Sequence, residues 1–305
     1  MGGHVLVVGS LNLDLVVSAP EIPAPGETVL GKDFQTFPGG KGANQAVAAA
    51  KQGMATVMVG RVGADGFGEQ LLRSLRTSGV NTQFVSIDPA EPTGVAFICV
   101  DEAGENAIVV APGANNRCTV GELPDSLWEQ TKVLLLQLEI PLTTVTEAAR
   151  RAQAQQALVI LDPAPPQELS LELLRHVDIL VPNSSEAAAL TKVAEVTEEN
   201  VSGVADQLLK LGPKQVIVKL GKDGAYFKGV YGEGRIHGIP VDAVDTTAAG
   251  DCYAGVLAAQ LAQGAPLPAA ARYANVAAAL AVTRKGAQDS MPTRAEVEEF
   301  MQTLA

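Results

Sequence analysis

Cysteine, histidine, aromatic residues and positive charge are all scarce in this chain of 305 residues, and each shortage removes a class of function. The three cysteines, Cys99, Cys118 and Cys252, form no CxxC pair and stand far apart. A disulfide framework or a zinc site is therefore not expected, and the count suits a reducing compartment. Three histidines, His4, His176 and His237, leave little material for a metal hydrolase or a Ser-His-Asp triad. With 22 basic against 34 acidic side chains the net charge is −12, which argues against nucleic acid or an anionic membrane as partner. One small anionic ligand is not excluded, because it needs only a local positive site. No apolar run approaches the ~20 residues that span a bilayer, and the segment Met1–Gly9 has no basic n-region. The expectation is a soluble, cytoplasmic protein.

What is present is ordinary globular material, 47% hydrophobic, arranged as short β-branched runs between Ala- and Leu-rich ones. Val5–Val8, Thr56–Val59, Val133–Leu138, Leu158–Leu161, Ile179–Val181 and Val216–Leu220 read as buried strands. Ala43–Gln52, Phe67–Ser78, Thr143–Gln155, Ser184–Thr191 and Val201–Leu211 read as helices between them. That alternation predicts an α/β fold whose mostly parallel sheet is covered on both faces. Ala248–Gln263 and Ala269–Thr283 are Ala-rich and read as two closely packed helices. Glu27–Thr36 and Thr93–Val110 break the rhythm: they read as strands without intervening helices, the second turning at Asp101–Gly104. A small antiparallel sheet projecting as a lid is expected there, its other face free for a dimer contact. The linkers are short, so residues 1–305 are read as one domain, with lid strands inserted at about 14–18, 27–37 and 93–111.

Gly26–Lys32 satisfies GxxxxGK, but Asp33 stands where a magnesium-binding hydroxyl belongs and no strand precedes it, so a phosphate loop is rejected. Gly39-Gly40-Lys41-Gly42-Ala43-Asn44 is more informative. Glycines around a lysine at a helix start offer bare N–H groups and a cation within one turn; an ordinary glycine turn would look the same. Asp245-Thr246-Thr247-Ala248-Ala249-Gly250-Asp251 leads small residues into a long helix with an Asp in its first turn. Helix capping explains one Asp. It does not explain a run of Ala-Ala-Gly that leaves the N–H groups open to an anion, beside a carboxylate suited to general-base work in phosphoryl transfer. Asn12-Leu13-Asp14, taken to sit at the carboxyl end of the first strand, suits hydroxyl recognition or a plain Asx turn.

The Gly39–Asn44 and Asp245–Asp251 motifs together resemble the paired signature of the ribokinase-like (PfkB) carbohydrate kinases. The likeness runs from Val5 to Met291 and includes Gly39–Ala48, Pro182-Asn183 and Ala281–Ala287. Many members have Gly where Ala249 stands. The resemblance implies a three-layer α/β/α sandwich with a β lid, dimerising through the lid, and ATP-dependent phosphorylation of D-ribose at O5. Asp251 is then the base, with the N–H groups of Ala248, Ala249 and Gly250 as an anion hole. Asn12, Asp14, Gly40, Lys41, Asn44 and Glu139 match sugar-contacting positions. Asn183, Lys219, Leu220, Gly221, Lys222, Asp223, Gly224, Gly250 and Asn275 match ATP-binding ones. Glu186 matches a position that acts on Mg2+ indirectly. Asp245, Thr247, Ala281, Arg284, Gly286 and Ser290 match loops that hold K+, largely through carbonyls. Two other readings stay open: another sugar or nucleoside kinase, such as a fructokinase or an adenosine kinase, and a silent sugar- or nucleotide-binding protein.

Overall fold

In the computed structural model, which describes residues 3–121 and 123–304, the apolar runs form two sheets. Among the described residues the larger is ordered β13-β12-β11-β10-β9-β8-β1-β4-β5. Its parallel body comprises β1 (His4–Val8), β4 (Thr56–Gly63), β5 (Asn81–Asp88), β8 (Thr131–Leu136), β9 (Leu158–Leu161), β10 (Ile179–Leu180) and β11 (Gln215–Lys219). An antiparallel hairpin, β12 (Gly224–Gly229) and β13 (Gly234–His237), closes one edge.

Alternation along the strands splits the core in two. Val5, Val7, Met58, Val133 and Leu135 face one side. That side is covered by α1 (Lys41–Lys51), α2 (Gly66–Thr77) and three helices from the last fifth of the chain, Ala249–Ala262, Leu267–Ala281 and Arg294–Thr303. Leu6, Val8, Val57, Leu134 and Leu136 face the other, packing on α3 (Asp125–Glu129), α4 (Leu142–Ala154), α5 (Leu171–Arg175), α6 (Ser184–Thr191) and α7 (Val201–Leu209). The closing three helices are α8, α9 and α10 in that order. The expected α/β/α layering is present. Runs of Ala let α8 pack tightly between α1 and α9, since small side chains permit close helix approach.

The smaller sheet, β3-β2-β6-β7, is built from β2 (Asn12–Ser18), β3 (Asp33–Gly39), β6 (Gly94–Val100) and β7 (Asn106–Ala111). Two boundaries differ from the sequence reading. The strand expected over 27–36 forms only from Asp33, because Asp33 already pairs with Ser18, the last residue of β2. Just before it the Lys32 N–H still reaches Ser18 O at 2.7 Å, but β2 has ended there, and Leu30 projects into solvent. Asn12-Leu13-Asp14 is likewise not the end of the first strand but the start of β2, in the lid itself. The segment 93–110 does form two strands with a turn at Asp101–Gly104. β5, α10 and the β12–β13 hairpin had no counterpart in the sequence reading.

Candidate active site

Strand order reverses between β1 and β8, which lie side by side while the chain runs outward from each in opposite directions. Crevices at such switch points bind ligands in open α/β sheets. Three segments meet there. Past β1, Ser10 Oγ donates to the Glu139 carboxylate, which also accepts the Lys41 N–H at 3.1 Å. Glu139 stands three residues beyond β8, which ends at Leu136 rather than Leu138. Between Ser10 and Lys41, Gly40 turns the lid strand β3 into α1 with φ of 87°. A β-carbon there would stand 2.6 Å from the Asn12 backbone nitrogen, so glycine is required both for the angle and for the space.

Asp251 lies in the first turn of α8 and is buried. Asn44 Nδ2 donates to its Oδ2 at 2.9 Å and Gln45 Nε2 to its Oδ1 at 3.1 Å. Burial pushes the Asp251 carboxyl above its ordinary range; the Lys41 ammonium opposes this and the Asp162 carboxylate adds to it. Asp251 is in turn the main reason that Lys41 is held above its usual value, against the effect of its own burial. Asn44 Oδ1 is buried with no partner, an acceptor that a ligand hydroxyl would satisfy. Asp14, on the lid strand, is pushed up to about 7 by burial and by the Glu139 and Asp251 carboxylates, with Lys41 opposing. Asn12 is buried and its Oδ1 accepts from Asn115 Nδ2 at 2.8 Å. All six expected sugar-contacting residues and Asp251 therefore converge where lid and sheet meet.

From Lys41 and Asp251 a cavity of about 990 Å3 runs outward past the N-terminus of α8 to the hairpin edge of the sheet. Ala248, Ala249 and Gly250 line it, and Ala248 sits in the left-handed region with φ of 57°, a strain of order 1–3 kcal/mol for a residue with a β-carbon. The expected hole of three N–H groups is smaller than the sequence suggested: the Ala249 N–H donates to Thr246 O at 3.3 Å. The Gly250 and Asp251 N–H groups find no acceptor in the preceding loop among the described residues. The cavity is also lined by Asn183, Lys219, Gly221, Lys222, Asp223, Gly224 and Asn275. Leu220 is not among them: its side chain is in the core.

Asn183 and Glu186 form a reciprocal capping box on α6. Glu186 N donates to Asn183 Oδ1 at 2.8 Å, and Asn183 N donates to Glu186 Oε2 at 2.7 Å. Glu186 nonetheless lines the cavity, and burial followed by the Asp162 charge pushes its carboxyl up. Among the described residues no three His, Cys, Asp or Glu converge as a metal cage. The expected cation loops do come together. Asp245 Oδ1 accepts the Thr247 N–H and Oδ2 the Gly286 N–H, each at 2.9 Å, joining the approach to α8 to the segment after α9. Burial works against ionisation of Asp245, but the Thr247 hydroxyl together with these N–H donors outweighs it and holds the carboxyl below its usual range. The Arg284 guanidinium pairs with Glu296 and the Ser290 hydroxyl donates to Ala287 O, so neither side chain points to Asp245. The Ala281 carbonyl already accepts the Arg284 N–H at 3.1 Å.

A family model described as pfkB family carbohydrate kinase matches residues 3–294. This chain belongs to that family. It is 41% identical to the ribokinase of Bacillus subtilis over 300 residues, 98% of this chain and 99% of the relative. It is 40% identical to the ribokinase of Haemophilus influenzae over 97% of both. The structure of Arabidopsis thaliana ribokinase complexed with ribose and ATP superimposes with a TM-score of 0.93 at 35% identity, covering 99% of each chain. Within this pfkB kinase the sequence reading missed Gln45, Asp162, Gln137 and Asn115. A polar residue interrupting an apolar run was the available signal for two of them, Gln137 in Leu134–Leu138 and Asp162 closing Leu158–Leu161.

Proposed function

We propose that this carbohydrate kinase transfers the γ-phosphoryl group of ATP to O5 of D-ribose, giving D-ribose 5-phosphate and ADP. The observation that carries the reading is the pairing of a buried carboxylate, Asp251, with Lys41 at an open helix N-terminus, beside an unpartnered acceptor, Asn44 Oδ1. The sugar hydroxyls fit Asp14, Asn12, Asn44, Glu139 and the Gly40–Lys41 turn. The 5-hydroxyl gives its proton to Asp251 as its oxygen bonds to the γ-phosphorus and the bond to the β,γ-bridging oxygen breaks. Gly250 N–H and the Lys41 ammonium take up charge on the transferring group. A carboxyl that burial raises and the Lys41 ammonium draws back down is suited to accepting that proton.

The residues fit a magnesium ion carried by the nucleotide phosphates, with Glu186 reaching it through water, rather than an all-protein cage. Such an ion offsets phosphate charge, so an acidic protein still takes ATP. Asp245 and the carbonyls of Thr247, Ala281, Arg284, Gly286 and Ser290 offer hard oxygens that suit K+ and would stiffen the loop leading to Gly250. The lid leaves Val17, Phe34, Phe97 and Val109 exposed on one face, Val17 paired with Phe34 and Phe97 with Val109. We assign that face to a homodimer contact, since monomers seldom expose apolar patches of this kind.

ADP release measured across ribose, deoxyribose, fructose, tagatose and adenosine tests the reading. Ribose should give the highest kcat/KM. A preference for fructose or adenosine assigns the chain to another activity of the family, and no turnover with any of the five refutes kinase function.

A further inference from the structure

A chain of buried polar contacts runs from the cavity wall to Asp251. Lys219, the last residue of β11, donates from Nζ to Asp162 Oδ1 at 2.8 Å. Asp162, just past β9, accepts at Oδ2 from Gln45 Nε2 at 2.9 Å, and the same amide nitrogen reaches Asp251 Oδ1 at 3.1 Å. Gln137 donates to Gln45 Oε1 and so fixes which end of the amide faces the two carboxylates. The pair is nearly dry, with side chains 11% and 2% exposed. Yet Lys219 and Asp162 both line the cavity, and Lys219 Nζ lies 3.3 Å from where a β-carbon on Gly250 would stand. The ammonium is thus set against the open N-terminus of α8, where a transferring phosphoryl group would arrive.

A buried ion pair adds little stability over an apolar pair of the same shape. A cation at that spot has a chemical use instead. Resting on the kinase reading above, we propose that Lys219, held by Asp162, is a second cation for the phosphoryl group in transfer, and that Gln45 couples this pair to Asp251. As the bond to ADP breaks and the bond to the sugar oxygen forms, charge collects on the equatorial oxygens beside Gly250. Lys41 meets that charge from α1, and Lys219 meets it from the end of β11. The coupling follows from one nitrogen serving two carboxylates: Asp162 and Asp251 repel, and Lys219 offsets the first charge, which eases ionisation of the second. The groups that face Asp251 are Lys41, Asn44 and Gln45 from α1, Asp14 from β2 and Asp162 from the end of β9; Glu139 and Glu186 act on Lys41 behind them.

The test compares wild type, Lys219→Met, Asp162→Asn and the double variant, with melting curves to establish folding and pH profiles of kcat at saturating ribose and ATP, which read the bound complex and so leave out the effect of Asp14 on ribose binding. Lys219→Met should lower kcat about 10- to 100-fold, the size of one charge-assisted hydrogen bond made in the transition state. KM for ATP should stay within about threefold, since uniform binding is not what is lost. Its acid limb should move to higher pH, because an unpaired Asp162 disfavours ionised Asp251. Asp162→Asn should move the limb to lower pH. The double variant should restore the limb while kcat stays as low as in Lys219→Met, and it remains informative if a single variant fails to fold, because it buries no unpaired charge. A purely structural pair would lower stability without moving the limbs in opposite directions. Superimposable limbs, or a Lys219→Met kcat within about threefold of an active wild type, overturn this inference alone. A wild type that phosphorylates no sugar overturns it together with the reading on which it rests.

Discussion

With Asp14 in the proposed sugar contact, sugar recognition should depend on pH near neutrality. Its carboxyl is pushed up to about 7 by burial and by Glu139 and Asp251, with Lys41 working the other way. Sugar hydroxyls donate to the ionised form, so ribose should bind well above pH 7 and progressively worse below it. If the protonated form does not bind, the dissociation constant rises toward tenfold per pH unit, and ribose should bind about tenfold more weakly at pH 6 than at pH 8. Calorimetric titration with ribose across pH 5.5–9, without nucleotide, reads this directly. At pH 7 the same titration in buffers of different ionisation heat should register proton release. Asp14→Asn should bind weakly, with a flat profile. Asp251→Asn should keep the limb but move it down, because Asp251 raises Asp14. A wild-type affinity that is constant from pH 5.5 to 8, or a limb that persists in Asp14→Asn, refutes the reasoning.

The empty protein carries the other half of this linkage. A carboxyl whose folded pKa lies above its unfolded value favours folding fully below the unfolded value, and the benefit disappears as pH rises through the folded one. Between the usual 3.8 and about 7, at ~1.36 kcal/mol per pH unit, roughly 4 kcal/mol is lost as an upper bound. The midpoint of thermal unfolding should therefore fall between pH 6 and 8 in wild type by more than in Asp14→Asn. Added ribose should close that gap.

Asp251→Asn keeps the shape of the α8 start but removes the proton acceptor, so kcat should fall at least ~100-fold while ribose and ATP still bind by calorimetry; more than about a tenth of wild-type turnover would leave Asp251 only a cap. Activity in potassium, caesium, sodium and tetramethylammonium chloride at one ionic strength should follow the identity of the ion in wild type and lose most of that dependence in Asp245→Ala, whereas equal rates in all four salts would remove the cation from the account. Phe97→Lys, in the middle of the exposed lid face, should shift sedimentation from dimer to monomer with the melting temperature nearly unchanged.

The parts of this fold that could be read in advance are those whose cause is local. Leu158–Leu161 and Ser184–Thr191 fall where the pattern put them, because a doubly buried strand and a capped helix each carry their own composition. Residues 27–32 include Thr28, Val29 and Leu30 and still are not a strand, because the ladder with β2 ends at Ser18. Propensity is local, but pairing is not. The β12–β13 hairpin escaped for another reason: it lies at the sheet edge, where Gly224, Gly229 and Gly234 bound strands too short and too polar to show an apolar run.

The same division runs through the candidate site. The two glycine-bearing motifs were legible because each must bring bare backbone close to something, and small residues are the only means of doing so. The side chains that connect those motifs were not, since Gln45 reaches Asp162 across 117 positions and Asn115 reaches Asn12 across 103. Their chemistry lies in what folding places opposite them. Lys219 illustrates the limit: the loop it begins could be matched to nucleotide binding, but nothing near it in sequence names Asp162 as its partner. Only β11 and β9 arriving on either side of β10 bring the two charges together and set the ammonium beside Gly250. A single sequence can thus expose the backbone half of such a site, the half that cradles an anion. The half that sets its charges becomes readable only when the order of the strands is known.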